Sequence, residues 1–390
     1  MINVRYAIDK DIDDIKKIWS YCFGDTEKFM DYYFSNRYFK EHNVVVEQDE
    51  SIISSLQLAP YKINLNGKVY KTSYVVGVST LPEARGKGFM KSMMNFTLEE
   101  LYKTGEKVSI LMPIDYRIYR RYGYEHCYDQ IQYNIDVDDL RSFRTKGNFH
   151  KSNKDHIKAL IDIAADFQLD FNGNTVRGRE YFENLFGEIQ SDDGNFYIYE
   201  NDGYKGYLVY SFNGDTMLVR ELFYKDIDSL KSMMGFIYNH NTQCKKVSIS
   251  APIGDKLKLL FDNPKDVDTK FIPFMMGRVI DVRKYFESIN VNCGFEGSVN
   301  VKVVDNQIKE NNHVFKINIK DDNVIVDITE ENEDLELSIN ALTQIAFSYL
   351  NIDEVLSLYE IDIDKNKKNK VVRFFRSLLP KKNNYINDYI

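Results

Sequence analysis

The segment Tyr74–Lys103 constrains the possible folds of this chain more than any other part of the sequence. Its first part is a predicted strand because it contains three β-branched residues. They are Val75, Val76 and Val78. The run Arg85-Gly86-Lys87-Gly88 is a short glycine-rich turn, and Phe89–Lys103 is a predicted helix. Such a turn exposes backbone amides at the positive end of the helix, with two cations beside them. The segment therefore predicts a binding site for a pyrophosphate.

Two common phosphate-binding loops are excluded by their spacing. A P-loop requires Gly-Lys-Ser/Thr, whereas Gly88 is followed by Phe89, and Lys91 stands where a dinucleotide fingerprint needs its third glycine. The remaining pattern, Arg-Gly-x-Gly after a valine-rich strand, resembles the acetyl-CoA loop of the GNAT N-acetyltransferases, written Arg/Gln-x-x-Gly-x-Gly/Ala. Glu83 replaces the first Arg or Gln of that pattern. The resemblance therefore implies that acetyl-CoA is bound through the backbone of the loop.

The composition indicates a globular protein with more than one domain. The chain has 390 residues, of which 43% are hydrophobic and 28% are charged, and this length exceeds one ordinary core. It contains no run of about 18 apolar residues, so we expect no membrane span, and its start does not resemble a signal peptide. The four cysteines lie far apart without a zinc-binding pattern: Cys22, Cys127, Cys244 and Cys293. We therefore expect reduced thiols, no metal and a cytoplasmic location.

The net charge of −8 bears on the class of partner. It disfavours binding to nucleic acid, whose phosphates attract basic surfaces. It mildly favours cationic substrates such as amines.

The order of predicted elements divides the chain into three regions. They are residues 1–150, 151–284 and 285–390. The first region has the β-α-α-β-β-β-α-β order of a GNAT domain and includes a buried strand at Lys107–Met112. The second repeats this order faintly, but Leu222–Asp226 replaces the Arg-Gly-x-Gly turn, so we expect a degenerate GNAT-like domain that does not bind acetyl-CoA. The third is predicted to be a compact α+β domain, in which the basic run Lys365–Lys370 is interpreted as a solvated loop.

A second motif, Ile118-Tyr119-Arg120-Arg121-Tyr122-Gly123-Tyr124, follows the Lys107–Met112 strand. It resembles the Ile-Tyr-x-Arg-Phe/Tyr-Gly-Tyr run of the enhanced intracellular survival (Eis) acetyltransferases, a branch of the GNAT family. The resemblance covers the whole chain, because that family has an active GNAT domain, a degenerate GNAT domain and a C-terminal domain similar to sterol carrier proteins. It implies an α+β fold of tandem GNAT domains followed by a sterol-carrier-protein-like domain.

The same resemblance implies two catalytic groups. Tyr119 corresponds to the general acid of the family, which protonates the departing CoA thiolate; the alternative is that it is one more packing aromatic in a chain with 28 tyrosines. The general base of the family is the α-carboxylate of the last residue, here Ile390, although the family more often ends in an aromatic residue. The apolar tail Tyr385–Ile390 favours insertion into a pocket over a frayed terminus.

The predicted binding residues lie in three parts of the first region. Contacts with acetyl-CoA are expected from the strand, the turn and the segment after the next strand: Val76, Gly77, Val78, Arg85, Gly86, Lys87, Gly88, Phe89, Ile114 and Asp115. Asp25 lies where the family has an acidic residue in the acceptor pocket. Its alternative role is to cap the N-terminus of the helix that follows.

Together these features predict an acetyl-CoA-dependent N-acetyltransferase that acts on a primary amine by direct attack, without a metal. The resemblance implies aminoglycoside, polyamine or lysine amines as acceptors and a homo-oligomer, specifically a hexamer. The alternative function is a non-catalytic protein that senses acetyl-CoA through the first region or carries lipid through the third. Another acyl-CoA donor is a further alternative.

Overall fold

A computed structural model describes residues 2–291 and 294–389 of the chain. The first region contains the elements predicted for it, followed by a short helix and a long strand. Its elements are β1 (Ile2–Tyr6), α1 (Ile12–Phe23), α2 (Glu27–Asn36), β2 (Asn43–Gln48), β3 (Ser51–Leu65), β4 (Lys68–Thr80), α3 (Phe89–Lys103), β5 (Val108–Leu111), α4 (Tyr116–Arg120), β6 (Glu125–Asp136) and β7 (Asn148–Lys151). The helix predicted to follow the glycine turn, α3, has the bounds expected from the sequence.

The second region repeats this order and adds a helix, α6, that the sequence analysis did not predict. Its elements are α5 (Ile157–Gln168), β8 (Asn174–Thr175), α6 (Arg179–Ser191), β9 (Asn195–Glu200), β10 (Tyr204–Asn213), β11 (Thr216–Tyr224), α7 (Ile227–Tyr238), β12 (Lys246–Pro252), β13 (Asp268–Val279) and the start of α8 (Val282–Glu287). The third region contains β14 (Gly297–Val304), β15 (Val314–Lys320), β16 (Asn323–Ile328), β17 (Leu335–Ser338), α9 (Ile339–Ala346), α10 (Ile352–Leu358) and α11 (Lys365–Leu378).

One long sheet runs through the first two regions. Its strand order is β1-β2-β3-β4-β5-β13-β6-β12-β11-β10-β9-β7, with β8 paired to β3 beside this path. Strand β13 from the second region lies between β5 and β6, and β6 from the first region lies between β13 and β12. Each region therefore completes its part of the sheet with a strand from the other.

The two faces of the sheet carry different layers. Successive side chains of a strand point to opposite faces, and in β2 Val44 and Val46 pack with α3 residues, whereas Val45 packs with the apolar side of α1 and α2. In β4, Val75 belongs to the cluster beneath α3, whereas Val76 packs in the cluster shared with the third region and the C-terminal tail. The tail and α1–α2 therefore lie on the face opposite α3.

The third region forms its own four-stranded sheet in the order β16-β15-β14-β17. It is attached to β13 by an ion pair in which both side chains are fully buried: Arg278 donates to the two carboxylate oxygens of Asp305 at 3.0 and 2.8 Å. Gly123 makes room for this pair, because a Cβ there would lie 1.4 Å from Nη1 of Arg278.

The interpretation of Lys365–Lys370 as a solvated loop is wrong. These residues form the first turns of α11, which is capped by the carboxylate of Asp364. The helix forms because Val371, Phe374, Phe375 and Leu378 are buried on one side of it, at the spacing of an amphipathic helix. The lysines are the polar start of this helix. Across the described residues, every helix is too short or too polar to cross a membrane.

We predict that Asp305→Asn destabilises the fold strongly, because it leaves the buried guanidinium of Arg278 without a counter-charge. Removing one partner of a buried ion pair costs about 3–5 kcal/mol, which would appear as a large fall in the urea midpoint followed by circular dichroism. The matched control is Asp9→Asn, which removes the exposed ion pair with Lys40 and should leave the midpoint unchanged. Equal midpoints for both variants would contradict the role given to the buried pair.

Candidate active site

A β-bulge interrupts the pairing of β3 and β4 at two of the predicted binding residues. Ser55 pairs with Ser79 and Gln57 with Val76, so Leu56 faces two residues of β4, Gly77 and Val78. Gly77 has φ +61°, and a Cβ there would lie 2.3 Å from the ring of Trp19. The bulge turns backbone groups of β4 out of the ladder, and one of them, the carbonyl of Gly77, accepts from the hydroxyl of Ser79 at 3.1 Å.

The turn after β4 leaves the N-terminus of α3 uncapped. Gly86 and Gly88 have φ +77° and +85°, and added Cβ atoms would meet nothing within 4 Å, so the backbone conformation is what requires glycine. Gly88 is the N-cap of α3 and provides no side chain for the amides of the first turn. The loop is exposed, and Lys87 makes no ion pair with any described residue. Arg85 donates from Nε to the carbonyl of Thr80 at 3.1 Å.

Strands β4 and β5 separate just before the bulge. They pair in parallel from Ser73–Val75 to Ser109–Leu111, and the described residues show no pairing beyond Val75 and Leu111. Two further predicted residues lie beside this gap. Ile114 is 86% exposed, and the carboxylate of Asp115 caps α4 by accepting from the backbone N–H of Arg117 at 2.9 Å. The guanidinium of Arg117 also donates to this carboxylate, which lowers the pKa of Asp115.

Tyr119, the predicted general acid, lies on α4 and on the same side of the sheet as α3. Its ring is buried with Val75 and Leu111, the residues at which β4 and β5 separate. Burial raises the pKa of Tyr119 to about 12, and its hydroxyl donates to no described residue. Tyr124, by contrast, shares a hydrogen bond with Ser109 at 2.8 Å. Tyr119 is therefore a buried phenol that keeps its proton at neutral pH.

Asp25 lies on the opposite face and is connected to the bulge through Trp19. Its carboxylate accepts from the indole N–H of Trp19 at 2.8 Å, and the same indole ring contacts Gly77. Asp25 does not cap α2, because that role belongs to Thr26, whose hydroxyl accepts from the backbone N–H of Phe29 at 3.2 Å. The capping alternative for Asp25 is therefore wrong.

A group of acids from the second region approaches Asp25. Burial raises the pKa of Asp192, at the end of α6, and the negative charges of Glu188 and Asp25 raise it further. Glu188 accepts a hydrogen bond from Arg220. The sequence analysis missed this group because it did not predict α6, and only the fold brings the end of this helix close to Asp25 of the first region.

The C-terminal tail is buried as far as the structure describes it. Asn384, Tyr385, Ile386, Asn387 and Asp388 are each at most 5% exposed. Gln130 of β6 donates to the carbonyl of Ile386 at 2.9 Å, and the hydroxyl of Tyr389 donates to Gln130 at 3.1 Å. The ring of Tyr389 packs against Phe274 of β13, with 5.0 Å between centroids. Ile390, the predicted general base, lies outside the described residues.

The tail also contacts β4 of the first region. The hydroxyl of Tyr74, three residues before Gly77 in β4, donates to the carbonyl of Asp388 at 3.4 Å. The structure thus brings the tail as far as Tyr389, the β4 bulge and Asp25 to one face, while Tyr119 and α3 lie on the other. Beyond Val75 and Leu111, strands β4 and β5 no longer pair between these two faces.

The second region has the same strand and helix pair but a different helix N-terminus. Strands β11 and β12 pair in parallel from Thr216–Val219 to Lys246–Ile249 and then separate. Helix α7 is capped by Asp226, whose carboxylate accepts from the backbone N–H of Ser229 at 2.7 Å. A carboxylate thus occupies the position corresponding to Gly88 and would repel a phosphate.

Three family models match the chain in sequence. An Acetyltransferase (GNAT) domain model matches residues 3–127, a second Acetyltransferase (GNAT) domain model matches residues 173–279, and a Sterol carrier protein domain model matches residues 282–387. No curated protein sequence is significantly similar to the chain.

Several solved structures share the whole fold, each with complete coverage of both chains. A probable N-acyltransferase from Enterococcus faecalis has 22% identity and a TM-score of 0.88, and a GCN5-related N-acetyltransferase from Anabaena variabilis has 18% and 0.86. Eis1 from Mycobacterium abscessus has 14% identity and a TM-score of 0.77. At these identities the similarity establishes the fold.

The domain matches and the fold agree with the architecture predicted from the two sequence motifs. The chain is an acyltransferase of the GNAT family, with the Eis-like arrangement of two GNAT domains followed by a sterol carrier protein domain.

Proposed function

We propose that the protein transfers an acetyl group from acetyl-CoA to a primary amine by direct attack. The observation that carries this proposal is the combination, at one gap in the sheet, of a bulged β4, an uncapped α3 N-terminus and a buried phenol. GNAT domains in general use acyl-CoA, and the acetyl donor and the amine acceptor are our proposal.

The residues of the first region fit an acyl-CoA co-substrate. The free amides at the start of α3 and the cation of Lys87 suit a pyrophosphate, and the glycines leave the approach open. The gap beyond Val75 and Leu111 can take an extended pantetheine arm between two strands that no longer pair. We assign these contacts to Val76, Gly77, Val78, Arg85, Gly86, Lys87, Gly88 and Phe89, with Ile114 and Asp115 beside the thioester.

The reaction needs one proton donor and one proton acceptor. The amine nitrogen forms a bond to the acetyl carbon as the carbon–sulfur bond breaks. Tyr119 would give its proton to the departing thiolate, which a phenol protonated at neutral pH can do. The α-carboxylate of Ile390 would accept the proton lost by the amine, directly or through water.

A cation lies beside Tyr389, the last described residue, and would stabilise an ionised carboxylate next to it. The guanidinium of Arg220 lies 5.4 Å from the ring centre of Tyr389, and its buried Nε has no hydrogen-bond partner among the described residues. A cation with an unused N–H donor favours the charged form of a nearby carboxylate. This is the property that a general base requires at neutral pH.

The acceptor side of the site favours a cation. Asp25, Glu188 and Asp192 are close enough for their charges to interact, and the net charge of the chain is −8. A molecule with several amines, such as a polyamine, an aminoglycoside or a lysine-containing peptide, would hold one protonated amine near these acids and present another, neutral one for attack. We further propose, on the family resemblance alone, a cytoplasmic hexamer.

The first test is acetyl-CoA turnover with a panel of amines, read as free thiol, for the wild type and Tyr119→Phe. We expect turnover by the wild type and a fall in kcat of about 10²-fold in the variant, because general acid catalysis contributes at least that much. The dissociation constant of acetyl-CoA should stay the same. Tyr122→Phe is the matched control and should keep its activity. A wild type that turns over no amine would instead support the non-catalytic alternative.

The second test concerns the predicted phosphate contact. Lys87→Ala should weaken acetyl-CoA binding by roughly two- to fivefold, because an exposed ionic contact contributes up to about 1 kcal/mol. Lys225→Ala changes the lysine beside the Asp226-capped helix and serves as the control. Titration calorimetry should give one bound acetyl-CoA per chain for all three proteins. Two bound molecules per chain, or an effect of Lys225→Ala alone, would contradict the assignment to the first region.

The third test is the pH dependence of kcat. An ordinary tyrosine loses its proton near pH 10, whereas burial raises the pKa of Tyr119 to about 12. Because the proton is held until the pH approaches this raised value, we expect kcat to rise with deprotonation of the amine and then to stay level up to roughly pH 10. Circular dichroism at each pH controls for unfolding. A decline of kcat centred near pH 9 in folded protein would exclude Tyr119 as the general acid.

A further inference from the structure

The second region has a β-bulge in the strand that corresponds to β4, although it lacks the glycine turn after that strand. In the pairing of β10 and β11, Val209 faces Glu221 and Tyr210 faces Val219, so Arg220 is the extra residue. The corresponding bulge of the first region contains Gly77 and Val78. A bulge frees backbone groups of its strand, and here one of them has a partner: the carbonyl of Arg220 accepts from the side-chain amide of Asn387 at 3.0 Å.

The residue after this bulge belongs to a buried ionic cluster. Glu221 is fully buried and accepts from Nη1 of Arg177 at 2.5 Å. The guanidinium of Arg177 lies over the rings of Tyr181 and Phe223, at 4.7 and 4.4 Å from their centres. Its Nη2 donates to the side-chain oxygen of Asn387 at 2.6 Å. Arg177 is therefore fixed by the second region and in turn holds the tail.

The next residue of the tail is held by the same cluster. The carboxylate of Asp388 accepts from the hydroxyls of Thr175 and Tyr181, each to a different oxygen, and Nη2 of Arg177 lies 3.7 Å from it. Both the amide of Asn387 and the carboxylate of Asp388 are almost completely buried. Their partners come from β8, α6, the bulge of β11 and the segment between β8 and α6, all in the second region.

We propose that the degenerate GNAT domain is a clamp for the C-terminal peptide, in which Arg177, Tyr181 and Thr175 are positioning residues that act through Asn387 and Asp388. This inference rests on the proposed function, in which the terminal carboxylate accepts the proton of the amine. The bulge that lies beside the proposed acyl-CoA contacts in the first region binds the tail in the second. The clamp fixes the peptide two residues before its end and so limits where the terminal carboxylate can lie.

The test measures two quantities, the accessibility of the tail to a carboxypeptidase and the rate of acetyl transfer. Wild type, Tyr181→Phe, Asp388→Asn and Thr175→Val are digested with carboxypeptidase Y, and the release of Ile390 is followed by mass spectrometry. We expect slow release from the wild type and release at least about tenfold faster from the variants, because cleavage of a held tail requires local opening. Tyr385→Phe is the matched control, since Tyr385 packs by its ring and its hydroxyl bonds to no described residue.

Measurement of kcat distinguishes a displaced tail from a general loss of structure in the variants. In the variants kcat should fall about 10- to 100-fold, because small displacements of a catalytic group have large effects. The KM and dissociation constant of acetyl-CoA should stay at wild-type values, and kcat is measured well below the thermal midpoint of each variant, because the loss of a buried hydrogen bond lowers that midpoint. Where Asp388→Asn lowers the midpoint, Thr175→Val, which keeps the shape of the side chain, supplies the comparison.

A chain that lacks Ile390 distinguishes failure of the clamp from failure of the proposed function. An unchanged kcat in the truncated chain would contradict the role of Ile390 as the general base. Faster release of Ile390 from the clamp variants would still support the clamp. Release of Ile390 at the wild-type rate from all three variants would overturn the clamp whatever the truncation shows. Faster release together with an unchanged kcat would overturn the positioning role.

Discussion

The pairing of β6 with β12 and β13 is the interaction on which the rest of the structure depends. Because the two regions exchange these strands, their sheets form one surface and the two gaps between parallel strands are held at fixed positions. The exchanged strands also carry the contacts of the other parts. Gln130 of β6 binds the tail, Phe274 of β13 packs against Tyr389, and Arg278 of β13 forms the buried ion pair with the third region.

The two GNAT regions differ by few changes at the helix N-terminus that we propose as the phosphate site of the first region. Both have a bulged strand that separates from its parallel neighbour and leads to a helix. In the first region the helix begins at Gly88 and its amides remain free, whereas in the second the carboxylate of Asp226 binds them. The bulge likewise changes from glycine to Arg220, whose side chain pairs with Glu188. The helix N-terminus that is open in the first region is therefore occupied by a side chain of the protein itself in the second.

Local patterns in the sequence predicted the elements with strong periodicity, and α3 has the predicted bounds. The start of α11 was predicted wrongly, because the charge of Lys365–Lys370 was read without the apolar positions that follow from Val371 onward. The exchange of strands could not be predicted, since an alternating pattern specifies a strand but not its partner. The glycine turn and the tyrosine motif were visible because each is contiguous in sequence. The clamp around Asn387 was not, because it joins residues more than 160 positions apart.

The third region can take part in the proposed reaction without binding a ligand, because it helps to set the path of the tail. Asn384 donates from one amide group to the carbonyls of Cys127 in β6 and Phe347 after α9, and accepts from Asn172 of the second region at 2.7 Å. One side chain thus joins all three regions immediately before the tail enters the site. A carboxylate at the end of the main chain takes its position from the backbone path, so its accuracy depends on every anchor before it. If the terminal carboxylate is the base, the third region contributes by fixing the start of this path, and the second by fixing its end.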